Sequence, residues 1–189
     1  MKTKNFRISR DTPGLFITAV AKDRLPLYRI ETVKTITCQA IDQARHSCKF
    51  MLLAYVLMPD HLHLLIHSSR SPSEILRHVK GTISHDVLEY LKKQGYQESL
   101  RKLRHEEWKR HHRYSLWGHE SNVFSIFSES VLMQKVNYIH QNPVRESLVE
   151  RVVDYRWSSA RAWAKCALDS EPLAVDIGCI EWRKSAVGA

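Results

Sequence analysis

Residues 49–67 read KFMLLAYVLMPDHLHLLIH. The run from Lys49 to Leu57 is almost entirely apolar and is halted by Met58-Pro59-Asp60, too soon for a helix, so it reads as a buried strand. HLHLLIH resumes at once over 61–67 as a second strand, and the two form a hairpin about Pro59-Asp60. Strand side chains alternate between faces. His61 and His63 therefore point one way, while Leu62, Leu64 and Ile66 point the other, toward whatever helices cover the sheet.

Outward from this hairpin the chain alternates its periods. Residues 15–20 follow Pro13-Gly14 as a short apolar, β-branched strand. Ile30, Val33, Ile36, Ala40, Ile41 and Ala44 recur at helical spacing over 30–48. Ser71-Pro72-Ser73-Glu74 is a helix start, with a capping box and proline at the first helical position. Ile75, Val79, Ile83 and Val87 then give one apolar stripe, running to near Gly95. Residues 114–127 read as a strand with a loop. Residues 128–142 read as a helix with Leu132, Val136 and Ile139 inward, closed by Pro143. This order, βαββαβ and a further helix, predicts an α+β ferredoxin-like sandwich: an antiparallel sheet with two helices on one face and the imidazoles of His61 and His63 on the other.

The chain has 189 residues and 22.1 kDa, enough for one domain with a substantial core. An apolar content of 43% excludes a disordered polyelectrolyte, and the longest apolar run, 50–58, is about half of the ~20 residues that span a bilayer. Lys and Arg exceed Asp and Glu by 29 − 20 = +9, which favours a polyanionic partner, nucleic acid before an anionic membrane surface. The cysteines at 38, 48, 166 and 179 lack the spacing of a zinc knuckle or redox pair, and no apolar export segment follows the basic start. A cytoplasmic protein with reduced thiols is expected.

An HxH pair alone is weak evidence of a metal site, and a tyrosine at helical spacing is ordinarily a rim residue. Val131, Lys135, Tyr138 and Asn142 nevertheless share one row of their helix, beside the core stripe. Taken together, MPDHLHLLIH, VNYIHQNPVRESLVE and DYRWSSARAW resemble the single-tyrosine transposases of the HUH nuclease superfamily (IS200-like), and most of all the REP-associated tyrosine transposase group. The matching material runs in order from about residue 15 to 163. The resemblance makes 1–189 a single domain, with 10–165 the transposase-like catalytic part and 166–189 an extension of unknown structure.

That resemblance implies roles. His61 and His63 match the histidine pair and, with Asn142 as third ligand, bind a divalent ion, Mg²⁺ or Mn²⁺. Tyr138 matches the nucleophile. Tyr155, Trp157, Ser158 and Ser159 match a segment taken as structural. The implied activity is metal-dependent cutting and rejoining of single-stranded, hairpin or palindromic repeat DNA through a 5′-phosphotyrosine. It needs no nucleotide cofactor and no membrane, and a monomer is favoured over a homodimer. Tyrosine, with an ordinary pKa near 10, needs such help at neutral pH. Lys80, Arg101, Lys102, Arg104, Lys109, Arg110, Arg113, Lys135 and Arg145 are the expected nucleic-acid contacts. Trp108, Tyr114 and Trp117 lie among these charges as stacking candidates. The competing reading is a domesticated, non-catalytic protein that binds palindromic DNA or structured RNA. A histidine zinc hydrolase ranks last, since no carboxylate base accompanies HLH.

Overall fold

The computed structural model describes residues 5–104, 113–119 and 122–183. Four strands, β1 (Gly14–Val20), β2 (Met51–Leu57), β3 (His61–His67) and β4 (Asn122–Ile126), form one antiparallel sheet in the order β2-β3-β1-β4. Five helices accompany it among the described residues: α1 (Glu31–Cys48), α2 (Pro72–Lys93), α3 (Gln97–Leu103), α4 (Glu129–Arg145) and the short α5 (Ala160–Trp163). The expected ferredoxin-like α+β arrangement is present. The hairpin turn closes with Met58 N–H donating to the His61 carbonyl at 2.8 Å, and the Pro59 and Asp60 carbonyls accept from Tyr28 and Ala21.

Alternation along β1–β3 puts Ile17, Ala19, Leu52, Tyr55, Leu57, Leu62, Leu64 and Ile66 on one face. They are fully buried against Val33 and Ile41 of α1 and Ile75, Val79, Ile83 and Val87 of α2. Ser71 caps α2 by accepting from Glu74 N–H at 3.3 Å, with Pro72 in the first turn. The reciprocal half of the expected capping box is absent, because Arg70 holds the Glu74 carboxylate.

The other face is not open. Helix α4 lies across it, with Leu132, Val136 and Ile139 buried, so His63 is only 4% exposed. Nor does α4 end before Pro143. It runs on to Arg145, since a proline near a helix end removes one ladder bond only. The last turn is held by Glu146 N–H to the Asn142 carbonyl (3.0 Å) and Leu148 N–H to the Pro143 carbonyl (2.8 Å). The final strand is shorter than the reading of 114–127: Tyr114 and Trp117 make isolated bridges to Arg104 and Ala21, and β4 proper begins at Asn122.

The DYRWSS segment covers the β2 edge, which would otherwise expose an unpaired backbone row. Leu57 N–H donates to the Trp157 carbonyl (2.9 Å), Ser159 N–H to the Tyr55 carbonyl (3.0 Å), and Tyr155 Oη–H to the Leu57 carbonyl (2.7 Å). Further on, Asp176 accepts from Leu52 N–H at 2.9 Å and pairs with Arg45 at 2.6 Å, which seats residues 173–180 on the same core. Ser159 Oγ also accepts from Tyr55 N–H (3.0 Å) while bonding His140 Nε2 of α4 (2.9 Å). Ser159→Ala strands both buried partners. It is expected to cost about 1–3 kcal/mol, read as a lower urea midpoint at unchanged slope.

Candidate functional site

The hairpin places His61 at the first residue of β3 and His63 two positions on, both toward α4, with ring centroids 4.9 Å apart. Each imidazole is fixed through Nδ1. That of His61 bonds Asp60 Oδ1 at 2.6 Å, and Asp60 in turn takes Arg24 at 3.1 Å. Burial works against ionisation of Asp60, but hydrogen bonds and charge from His61 and Arg24 outweigh it and hold the carboxyl below its usual range. That of His63 bonds Thr18 Oγ1 at 2.9 Å, from the residue directly opposite on β1. His63 Nε2 is then buried with no hydrogen-bond partner among the described residues. Burial first, then charge at His61 and Lys135, pushes the His63 pKa down to about 3, so its imidazole is neutral at pH 7.

Helix α4 brings Tyr138 over this pair. Its half-buried ring stands edge-on to His63 at 5.3 Å and to Phe16 at 5.9 Å between centroids. Two cations flank it: Lys135 Nζ lies 5.6 Å and the Arg145 guanidinium 5.5 Å from the ring centre. Asn142 sits one turn beyond. Its carboxamide nitrogen donates to the Tyr138 carbonyl at 2.7 Å, which leaves the oxygen as its remaining acceptor; among the described residues no contact joins it to either imidazole.

The remaining basic candidates lie elsewhere. Lys80 belongs to α2 and reaches over Trp117 (5.7 Å), whose Nε1–H donates to the Lys80 carbonyl. Arg101 and Lys102 are exposed on α3, Lys102 paired with Glu98 at 2.9 Å; Arg104 follows the helix, and Arg113 lies over Tyr114 at 5.7 Å. A cleft of about 860 Å³ runs between α2, α3 and residues 113–117, lined by Lys80, His85, Lys92, Arg113, Tyr114 and Trp117. It is on the helix-layer side, whereas the histidine–tyrosine cluster is on the α4 side. His61, His63, Tyr138 and Asn142 do not line this cleft. Lys109, Arg110 and Trp108 lie outside the described residues.

Sequence reasoning missed Thr18, Asp60 as a histidine partner, and Phe16. Asp60 read as a turn residue, and Thr18 could be found only once the β1–β3 register was known.

The sequence profile described as "Transposase IS200 like" matches residues 15–142, which include β1 through nearly all of α4. The chain belongs to the IS200-like transposase family. A Haemophilus influenzae protein named as a REP-associated tyrosine transposase is 25% identical over 158 residues, covering 82% of this chain and 84% of its own. A solved REP-associated tyrosine transposase bound to a REP hairpin shares the fold, with a TM-score of 0.61 at 18% identity over 92% of both chains.

In this IS200-like chain the donor set fits a divalent ion. Partners hold Nδ1 of both imidazoles, the outer-shell pattern of metal-ligating histidines, which leaves Nε2 as the donor atom. The Nε2 of His63, buried without a hydrogen-bond partner among the described residues, is an atom such an ion would satisfy. Among the described residues no three His, Cys, Asp or Glu side chains converge, so a third protein donor would be an amide or phenol oxygen.

Burial has a pH consequence. His140 is pushed down to about 4 and His63 to about 3, against 6.5 ordinarily. Both bind protons more readily unfolded, so stability is full above pH 6.5 and lost as pH falls through that window. The loss from His140 reaches about 3 kcal/mol near pH 4. Thermal midpoints measured from pH 7 to 4 should decline accordingly, and His140→Gln should flatten the decline.

Proposed function

We propose that this IS200-like transposase is a metal-dependent single-strand DNA endonuclease and strand transferase, acting in the cytoplasm as a monomer on hairpin or palindromic repeat DNA. The observation that carries the reading is the 5.3 Å approach of the Tyr138 ring to His63, whose Nε2 is buried without a partner. His61 and His63 would hold Mg²⁺ or Mn²⁺ through Nε2, with the Asn142 amide oxygen as third ligand; imidazole favours Mn²⁺. Such an ion supplies Lewis acidity at a phosphoryl oxygen.

The chain's own groups do the rest. Tyr138 Oη attacks phosphorus, forming an oxygen–phosphorus bond as the bond to the departing 3′ oxygen breaks. The phenol loses its proton and the 3′ oxygen gains one. Lys135 and Arg145, 5.6 and 5.5 Å from the centre of the Tyr138 ring, favour an anion there, both phosphate and phenolate. A 3′ hydroxyl from another strand then attacks the phosphotyrosine and releases Oη. One phosphate ester is exchanged for another, so no nucleotide cofactor is required. Lys80, Arg101, Lys102, Arg104 and Arg113, with Lys109 and Arg110 beyond the described residues, would contact the DNA backbone. The net charge of +9 supports this, as does the REP hairpin held by the solved relative.

Incubation with end-labelled hairpin oligonucleotide and Mn²⁺, then a denaturing gel, should yield labelled protein. Tyr138→Phe should give no adduct yet still bind; cleavage at the wild-type rate by that variant would end the tyrosine assignment, and binding without any wild-type adduct would leave a non-catalytic DNA-binding protein. Thr18→Val, which removes the Nδ1 partner of His63, should weaken Mn²⁺ binding about 10–100-fold by calorimetric titration.

A further inference from the structure

Phe124 is an aromatic residue that the proposed chemistry leaves unused. It lies on β4, a terminal strand of the sheet order, directly opposite Phe16 of β1, and so on the same face as Thr18, His63 and α4. Phe16 is buried and stacks on His63 at 5.2 Å; Phe124 is 51% exposed. A lone exposed phenylalanine is unremarkable. This one shares a cation with the site. Lys135 Nζ stands 4.9 Å from the Phe16 ring, 5.5 Å from Phe124 and 5.6 Å from Tyr138, and among the described residues no carboxylate pairs with it. A path of rings and one positive charge thus leads from Tyr138 out to the margin of the sheet.

We propose that Phe124 is a stacking platform for one unpaired nucleobase beside the scissile phosphate, with Lys135 taking the adjoining phosphate. A flat ring next to a cation matches the two parts of a nucleotide, a π-face and an anion. Duplex DNA hides its base faces within the stack, so the strand that reaches Tyr138 past β4 is single-stranded. Stacking reads no hydrogen-bond code, so this position tolerates any base. The subsite orients the substrate and takes no part in bond exchange. As a positioning device it rests on the proposed transferase reading; as a base-stacking site it does not.

The test uses the full chain with a hairpin oligonucleotide whose unpaired flanks carry 2-aminopurine at successive positions, in chelator so that the DNA stays uncut. One flank position should be quenched on binding. Phe124→Ala should abolish that quench and weaken binding about 5- to 150-fold, Phe124→Trp should restore both, and an unchanged melting temperature would show that packing is not the cause. Quenching that Phe124→Ala leaves intact, or loses equally in the paired stem, overturns the subsite. The covalent-adduct gel separates the two ideas. An adduct with a Phe124-independent quench sinks the subsite and spares the transferase, whereas a Phe124-dependent quench without any wild-type adduct does the reverse.

Discussion

The hydrogen bond between Thr18 Oγ1 and His63 Nδ1, 2.9 Å long, couples sheet register to site chemistry. A one-residue slip between β1 and β3 would turn every side chain of β3 to the wrong face. His63 would then meet the α1–α2 core, and Leu62 would meet Tyr138. In the tautomer whose Nδ1–H donates to the threonine oxygen, the bare lone pair is on the buried Nε2. The hydrophobic pattern that builds the core thus also aims the imidazole, and neither can change without the other.

Tyr138 is held less directly. Its helix is seated by Leu132, Val136 and Ile139, and by His140, whose Nε2 bonds Ser159 Oγ. Ser159 also receives Tyr55 N–H from β2 and donates its own N–H to the Tyr55 carbonyl. One serine therefore ties the sheet edge to the helix two residues past the tyrosine. The WSS segment, structural by the family resemblance, acts on the candidate site through that tie: a helix free to roll on its apolar stripe would not keep a phenol at a fixed distance from an imidazole.

Much of this was legible beforehand, for physical reasons that differ by element. The β2–β3 hairpin announces itself because Pro59-Asp60 interrupts an apolar run that could otherwise be helical. The start of α2 is local chemistry, Ser71 and Pro72, and so is readable in four residues. Tyr138 and the histidines were paired through kinship, since spacing alone does not join residues 75 positions apart. Thr18 was hidden because its role exists only in the β1–β3 pairing. The extent of α4 was misread at Pro143 because a proline's penalty shrinks in a final turn. The end of the sheet was blurred because β4 alternates exposed and half-buried residues, so little apolar signal marks it.

The described cations among the expected nucleic-acid contacts do not share one face of the sheet. Lys135 and Arg145 belong to α4, beside Tyr138, whereas α3 and Arg113 belong to the opposite layer. The separation is across the sheet and not along it. Val20 of β1 is opposite His61, the next residue, Ala21, bridges Trp117, and Ala21 N–H donates to the Asp60 carbonyl. His61 and Trp117 consequently share one end of the sheet, reached from β1 by a single residue's advance. The hairpin turn that fixes His61 therefore lies at the same end of the sheet as Trp117, which lines the cleft on the opposite layer.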